Sequence, residues 1–264
     1  MPSPTEISVT QLSRIIGLPG APTLVDVRSC DDGGSERYVL PTARQMISHT
    51  VATWAHTFSG RRVIVYCRDG GNDSQGTAAW LRQVGIDAQT LEGGFGAWRK
   101  GQQPLWCTDR LPERDQAGRT SWVTRARPKI IRIACPWLIR RFIDPTAVFL
   151  YVAPSEVAAV AKRFTATPFD SGDGIWNDRG DACTFDVMLE EFNLKTKPLS
   201  RLAAIVRGAD TGMPDLTPQS GGLLAISLGY SRMFRDDVAQ LDATMPVYDA
   251  LYRWCRDGTE ETHG

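Results

Sequence analysis

The chain has 264 residues, 42% of them hydrophobic, and its 30 basic and 30 acidic side chains cancel to a formal net charge of zero. That length allows one large domain or two ordinary ones. Zero net charge gives no global pull towards nucleic acid or a membrane surface, and there is no run of about 18 apolar residues to span a bilayer. Residues 1–6 (MPSPTE) lack a basic stretch leading into an apolar run, so they do not read as a secretory signal. The cysteines (Cys30, Cys67, Cys107, Cys135, Cys183 and Cys255) are scattered with no CxxC pair. Without a signal, that spacing predicts free thiols in the cytoplasm.

Taken in order, Ser8 precedes a helix whose Leu12, Ile15 and Ile16 share one face and which Gly17 stops. Leu24 to Arg28 reads as a strand ending in the pair Asp26 and Arg28, and Asp31 to Ser35 as a turn-rich loop. Ser48 to Phe58 fits a helix with Val51, Trp54, Ala55 and Phe58 on one face, which leaves His49 and His56 as surface or capping residues. Val63 to Tyr66 is a short β-rich run that ends at Cys67. A polar loop follows (Arg68, Asp69, Gly70, Gly71, Asn72, Asp73), then a helix from Ser74 to Arg82 with Ser74 as its expected N-cap. A cysteine between a strand end and a helix start faces backbone N–H groups and the positive end of the helix dipole. Both stabilise a thiolate, so Cys67 is the expected nucleophile. Alternating strands and helices with short turns predict a parallel sheet covered by helices on both faces, with the site at the strand C-termini.

VDVR at 25–28, Cys67 behind its apolar strand, and LEGGFGAW at 91–98 together resemble the rhodanese-like sulfurtransferase family over about the first 107 residues. The resemblance implies an internal charge pair for Asp26 and Arg28. It also implies anion binding by the loop, with Arg68, Gly70, Gly71, Asn72 and Ser74 as candidates. Against the family pattern the loop is one residue longer, judged from Leu81, and its interior holds Asp69 and Asp73, whereas the family's loop commonly carries an arginine.

Residues 108–121 are charged, contain Pro112 and Gly118, and have no apolar period, so they read as the linker between domains 1–107 and 122–264. The charge beyond is one-sided: Arg119, Arg125, Arg127, Lys129, Arg132, Arg140 and Arg141 come before any acid. Such a run reads as a solvated helix face or as an oxyanion pocket, since guanidinium forks match tetrahedral oxyanions. Nucleic acid is the weaker reading for a neutral chain without interleaved aromatics.

Periodicity makes the second domain mainly helical α+β. A strand is expected at Phe149–Val152, and helices at Ser155–Phe164, Phe185–Phe192, Leu199–Arg207 and Leu223–Met233. A last helix, Asp236–Cys255, is interrupted at Pro246. Its chemical candidates are Cys135 (a second reactive thiol beside Arg140 and Arg141), Cys183, Asp170, Asp186, Glu190 and Asp210. No cofactor is demanded. A harder divalent metal on carboxylates, with Cys183, Asp186 and Asp170 as ligands, stays open.

The segments WVTRARPK (122–129), RIACPWLIRRFID (132–144), FLYV (149–152), PFD (168–170), CTFD (183–186), IVRGAD (205–210), GLLAISLG (222–229) and YDALY (248–252) resemble the C-terminal domain of chromate-resistance protein B. Ile131 and Asp178 depart from an aspartate and a histidine common in that family. Its full regulators carry a separate N-terminal DNA-binding region where this chain has the rhodanese-like domain, which argues against transcriptional control. Two functions therefore stand open. One is sulfur transfer through a Cys67 persulfide, from a thiosulfate-like donor to a thiol or cyanide, in a chromate or oxidative-stress context. The other is non-catalytic binding or sensing of chromate or another oxyanion.

Overall fold

The computed structural model describes residues 4–29, 37–172 and 174–261; the expected loop at Asp31–Ser35 lies outside them. The chain divides into two compact units, residues 1–109 with 141–143, and residues 110–140 with 144–264.

In chain order the first unit holds β1 (Glu6–Ile7), α1 (Val9–Ser13), β2 (Thr23–Asp26), β3 (Tyr38–Val39), β4 (Arg44–Gln45), α2 (Val51–Trp54), β5 (Arg62–Tyr66), α3 (Asn72–Gln83), β6 (Asp87–Leu91), α4 (Gly94–Lys100) and β7 (Trp106–Cys107). Five strands form a parallel sheet in the order β1-β6-β5-β2-β4, so β5 is central and its end faces the middle of the sheet edge. Strand side chains alternate between faces. Val63, Val65 and Cys67 join Val25, Ala78 and Leu81 in one core cluster, whereas Ile64 and Tyr66 point to the other face and are also fully buried. Both faces are thus covered, as the β–α alternation predicts. The capping box at Ser8 is present, with the Gln11 amide donating to Ser8 Oγ. The helix expected over Ser48–Phe58 is instead a single α turn, α2, flanked by 3-10 turns at Ser48–Thr50 and Ala55–Phe58. The apolar face still packs, because Val51, Trp54, Ala55 and Phe58 are all buried.

The second unit contains β8 (Ser121–Arg125), α5 (Ile131–Leu138), β9 (Val148–Val152), α6 (Val157–Phe164), β10 (Thr167–Pro168), α7 (Thr184–Glu191), α8 (Lys197–Asp210), α9 (Ser220–Met233) and α10 (Asp237–Arg253). Its three strands form a small parallel sheet in the order β10-β8-β9. Seven of the eight α5 residues are buried, the signature of a core helix rather than an amphipathic one. Pro136 sits inside α5 and cannot donate to the Arg132 carbonyl one turn back; the Tyr151 hydroxyl donates to that carbonyl at 2.9 Å instead. Aromatic rings fill the interior: Trp137 lies against Phe185, Tyr248 and Tyr252, and Trp122 against Phe169 and Trp176. The interruption expected at Pro246 does not occur, and α10 runs through it. Burial of Leu241, Met245, Tyr248 and Tyr252 on either side holds the helix together against the missing hydrogen bond. Among the described residues no helix is long and apolar enough to cross a membrane.

Candidate functional site

Cys67 follows the last residue of β5 and is 5% exposed. Three segments meet around the loop after it, one within the loop and two distant in sequence. Gly70 adopts φ +80°, a left-handed conformation that favours glycine. The second segment is Gly93 to Gly96, where the Phe95 amide donates to the Cys67 carbonyl at 2.9 Å and the Gly96 amide to the Arg68 carbonyl at 2.8 Å. Gly94, at φ +56°, comes so close that a Cβ there would lie 2.5 Å from the Cys67 carbonyl oxygen. The third is Asp26–Arg28. Arg28 forms a fork onto the Asp26 carboxylate (Nη2 to Oδ2 2.6 Å, Nε to Oδ1 2.9 Å), and its guanidinium carbon lies 4.1 Å from the centre of the Phe95 ring. Both members of the pair are buried, as the internal charge pair required. A planar guanidinium can bind a carboxylate edgewise and an aromatic ring by its face at once.

Ser74 departs from the expectation. The helix begins two residues earlier, at Asn72, with Gly71 as its N-cap. Ser74 is inside the first turn and buried, its Oγ 3.2 Å from Cys67 Sγ and donating to the Gly71 carbonyl at 3.0 Å. With the helix starting at Asn72, Ser74 is its third residue, and its hydroxyl is left to face the thiol rather than to cap the helix. Asp69 also reaches the sulfur: its Oδ1 lies 3.5 Å from Sγ and accepts the Gly71 amide at 2.9 Å. That amide first, and then the thiol, hold the Asp69 carboxyl below its usual range. Arg68, Asn72 and Asp73 are exposed, and Asp73 accepts from the Ser48 hydroxyl at 2.9 Å. Position 69 was legible only as an unexpected acid; its contact with the thiol was not.

The candidates of the second unit fall into separate groups. Arg125 and Arg132 meet on Asp170, at 3.1 and 3.2 Å, where β8 and β10 end. Arg132 Nη1 also donates to the carbonyls of Arg125 and Ala126. Asp170 holds φ +46°, and its carboxyl is pushed up by burial against the pull of Arg125 and Arg132. Asp210 is pushed up by burial and then by Asp170 and Asp178. Arg127 donates to the Ser231 carbonyl at 2.8 Å, and Arg140 pairs with Asp242 at 2.7 Å and lies over the Phe149 ring. Arg125, Arg127, Arg132 and Arg140 thus bind protein acceptors in three separate places rather than one pocket.

Cys135 is fully buried, and burial pushes its thiol far up. This corrects the expectation of a second reactive thiol: α5 is enclosed on all sides, so Arg140 and Arg141 nearby in sequence do not make Cys135 accessible. Cys183 N-caps α7, its Sγ donating to Asp186 Oδ2 at 3.1 Å, while Arg207 pairs with Asp186 Oδ1 at 2.8 Å. Burial pushes the Cys183 thiol up as well. Arg207 was not foreseen, and nothing in the spacing around Asp186 marks it. Among the described residues no three His, Cys, Asp or Glu side chains gather as metal ligands. Asp170 and Asp186 each face arginine instead, a donor set that does not suit a cation. The described cysteines are all free thiols.

Against known proteins, the family model for the ChrB C-terminal domain matches residues 122–255, and that for the rhodanese-like domain matches 8–101. The chain belongs to the ChrB C-terminal domain family. The rhodanese-like match falls within the first unit, and the ChrB C-terminal match, apart from residues 141–143, falls within the second, which makes them the rhodanese-like and the ChrB-type unit. Protein ChrB of Cupriavidus metallidurans is 33% identical over 153 residues, 57% of this chain and 46% of that protein. This chain thus spans less than half the length of that relative. A tRNA 2-selenouridine synthase of Alcanivorax borkumensis is 43% identical over 58 residues, 21% of this chain and 16% of the synthase. A solved rhodanese-like domain protein from Staphylococcus aureus is similar over 36% of this chain and 90% of its own, at 26% identity and a TM-score of 0.32.

Proposed function

We propose that the rhodanese-like unit is a sulfurtransferase that carries sulfane sulfur as a persulfide on Cys67 and delivers it to a thiol or cyanide, in a chromate or oxidative-stress context. One observation carries this reading. The thiol of Cys67 sits at the end of the central strand, against the first turn of α3, with the Ser74 hydroxyl 3.2 Å away. Once the thiol ionises, that hydroxyl can turn to donate to sulfur, and the N-terminal amides of α3 add their partial positive charge. The attacking sulfur forms a new S–S bond as the donor's own S–S bond breaks, so the step is an exchange with no net oxidation. The same amides would stabilise the charge that develops on the transferred group. The chromate context comes from membership of the ChrB C-terminal domain family and from the ChrB of Cupriavidus metallidurans as a relative.

The test is mass spectrometry of the whole protein after incubation with thiosulfate or an alkyl persulfide, followed by cyanide or a thiol. Wild type should gain one sulfur on Cys67 and lose it to the acceptor, and Cys67→Ser should do neither. Wild type that gains no sulfur from either donor would remove the enzymatic reading.

A further inference from the structure

The loop around Cys67 carries a carboxylate where an anion-binding loop needs donors. Asp69 Oδ1 takes up the Gly71 amide at 2.9 Å and stands 3.5 Å from the nucleophilic sulfur. Asp73, in the first turn of α3, adds a second exposed acid that is tied to Ser48 rather than neutralised by a base. Two consequences follow from charge alone. One amide of the loop is unavailable to an incoming anion, and a full negative charge adjoins the position that anion must reach. Repulsion between a dianion and a carboxylate a few ångströms away weakens binding by on the order of tenfold even in a water-like dielectric.

We infer that Asp69 selects the sulfur donor, disfavouring dianions such as thiosulfate and favouring an alkyl persulfide, R–S–SH. The inference rests on the sulfur-transfer reading given above. The terminal S–H of such a donor can hydrogen-bond to Asp69, because a carboxylate retains acceptor sites after binding one amide. Thiosulfate has no proton to offer there, so the same residue attracts one donor and repels the other. The Cys67 thiol loses its proton to solvent, and Sγ attacks the terminal sulfur of R–S–SH. The donor's S–S bond breaks, and R–S⁻ leaves with the electron pair and takes a proton from solvent. Cys67 is left as Sγ–SH. Atoms, charge and oxidation state balance, and no co-reactant is needed.

The experiment measures the rate of Cys67 persulfide formation in the full chain with thiosulfate and with cysteine persulfide, in wild type and Asp69→Asn. Wild type should load faster from the persulfide. Asp69→Asn should raise the ratio of thiosulfate to persulfide rates about tenfold. Added salt screens exposed charges, so it should speed thiosulfate loading in wild type and do so less in the variant, where only Asp73 remains. A wild type that prefers thiosulfate, or a ratio unchanged in Asp69→Asn, overturns the inference while leaving sulfur transfer intact. Should Asp69→Asn not fold, thiosulfate loading by wild type that slows as salt rises overturns it equally. If neither donor loads Cys67, the function and the inference fall together.

Discussion

Asp144 is among the most completely enclosed charges in the protein. Its carboxylate accepts from the Thr120 amide at 2.7 Å, the Thr120 hydroxyl at 2.9 Å and the Thr146 hydroxyl at 2.7 Å, and it faces Arg114 at 3.2 Å. Burial by itself pushes the carboxyl up, but these donors together outweigh it and hold Asp144 below the usual carboxylate range. A depressed acid stabilises the fold at pH values above its unfolded pKa of about 3.9, and that contribution disappears as pH falls through the folded value. Asp144→Asn should therefore cost about 2 kcal/mol at neutral pH, since it leaves buried donors without a charged partner. Denaturant titrations should show wild type and variant converging below about pH 4. Single residues were the least legible scale in the sequence. The place of Cys67 between a strand and a helix could be read, because strand propensity, a glycine-bearing loop and a helix start bracket it. The roles of Ser74 and Asp69 could not, because whether a hydroxyl caps a helix or faces a sulfur depends on where the helix starts, and boundaries are soft by one or two residues.

At the scale of elements, the turn from Gly93 to Gly96 is the most constrained segment next to the site. A methyl group on Gly94 would meet the Cys67 carbonyl oxygen at 2.5 Å and the Gly70 nitrogen at 2.6 Å, at a backbone angle that side chains avoid. Gly94→Ala should destabilise the rhodanese-like unit by about 3 kcal/mol or more, through combined strain and overpacking. It should also slow persulfide formation, because the Gly93–Gly96 turn and the Cys67 loop must move apart to relieve the clash; urea unfolding and persulfide mass measurement check the two effects. The sequence revealed this element only through the family resemblance of LEGGFGAW at 91–98, whereas β5 read as a β-rich run and α3 as a helix start. It hid α5. Ile131, Ile133, Ala134, Cys135, Trp137 and Leu138 are apolar on every side, so no 3.6-residue stripe exists to be read, and Pro136 reads as a breaker. The compensating donor is Tyr151, a neighbour in space that no local window contains.

For the molecule as a whole, equal numbers of acids and bases set the terms of association. The basic run that follows the linker does not form one patch: Arg125 and Arg132 meet on Asp170, whereas Arg127 and Arg140 are held elsewhere. Arg125, Arg127, Arg132 and Arg140 already donate to carboxylates or carbonyls within the ChrB-type unit. The 264-residue chain should therefore leave the fluorescence anisotropy of a labelled duplex of about 20 base pairs unchanged at about 10 µM protein and about 150 mM salt. Tight binding with a steep salt slope would contradict that picture. The chain divides at residue 110, near the start of the stretch 108–121 that reads as a linker, but residues 110–121 belong to the second unit and 141–143 to the first.

Peptide planarity extends the meaning of the clamp between α4 and the Cys67 loop. The carbonyls of Cys67 and Arg68 are held by the amides of Phe95 and Gly96. Across each trans peptide unit the N–H group points opposite to its carbonyl. The amide dipoles of Arg68 and Asp69 are therefore aimed from outside the loop, by a glycine turn that follows a different strand. Aim and charge are thereby uncoupled. Loop side chains of either sign, Asp69 among them, fit the same backbone orientation, so on the sulfur-transfer reading proposed above the scaffold could serve a different donor without being rebuilt.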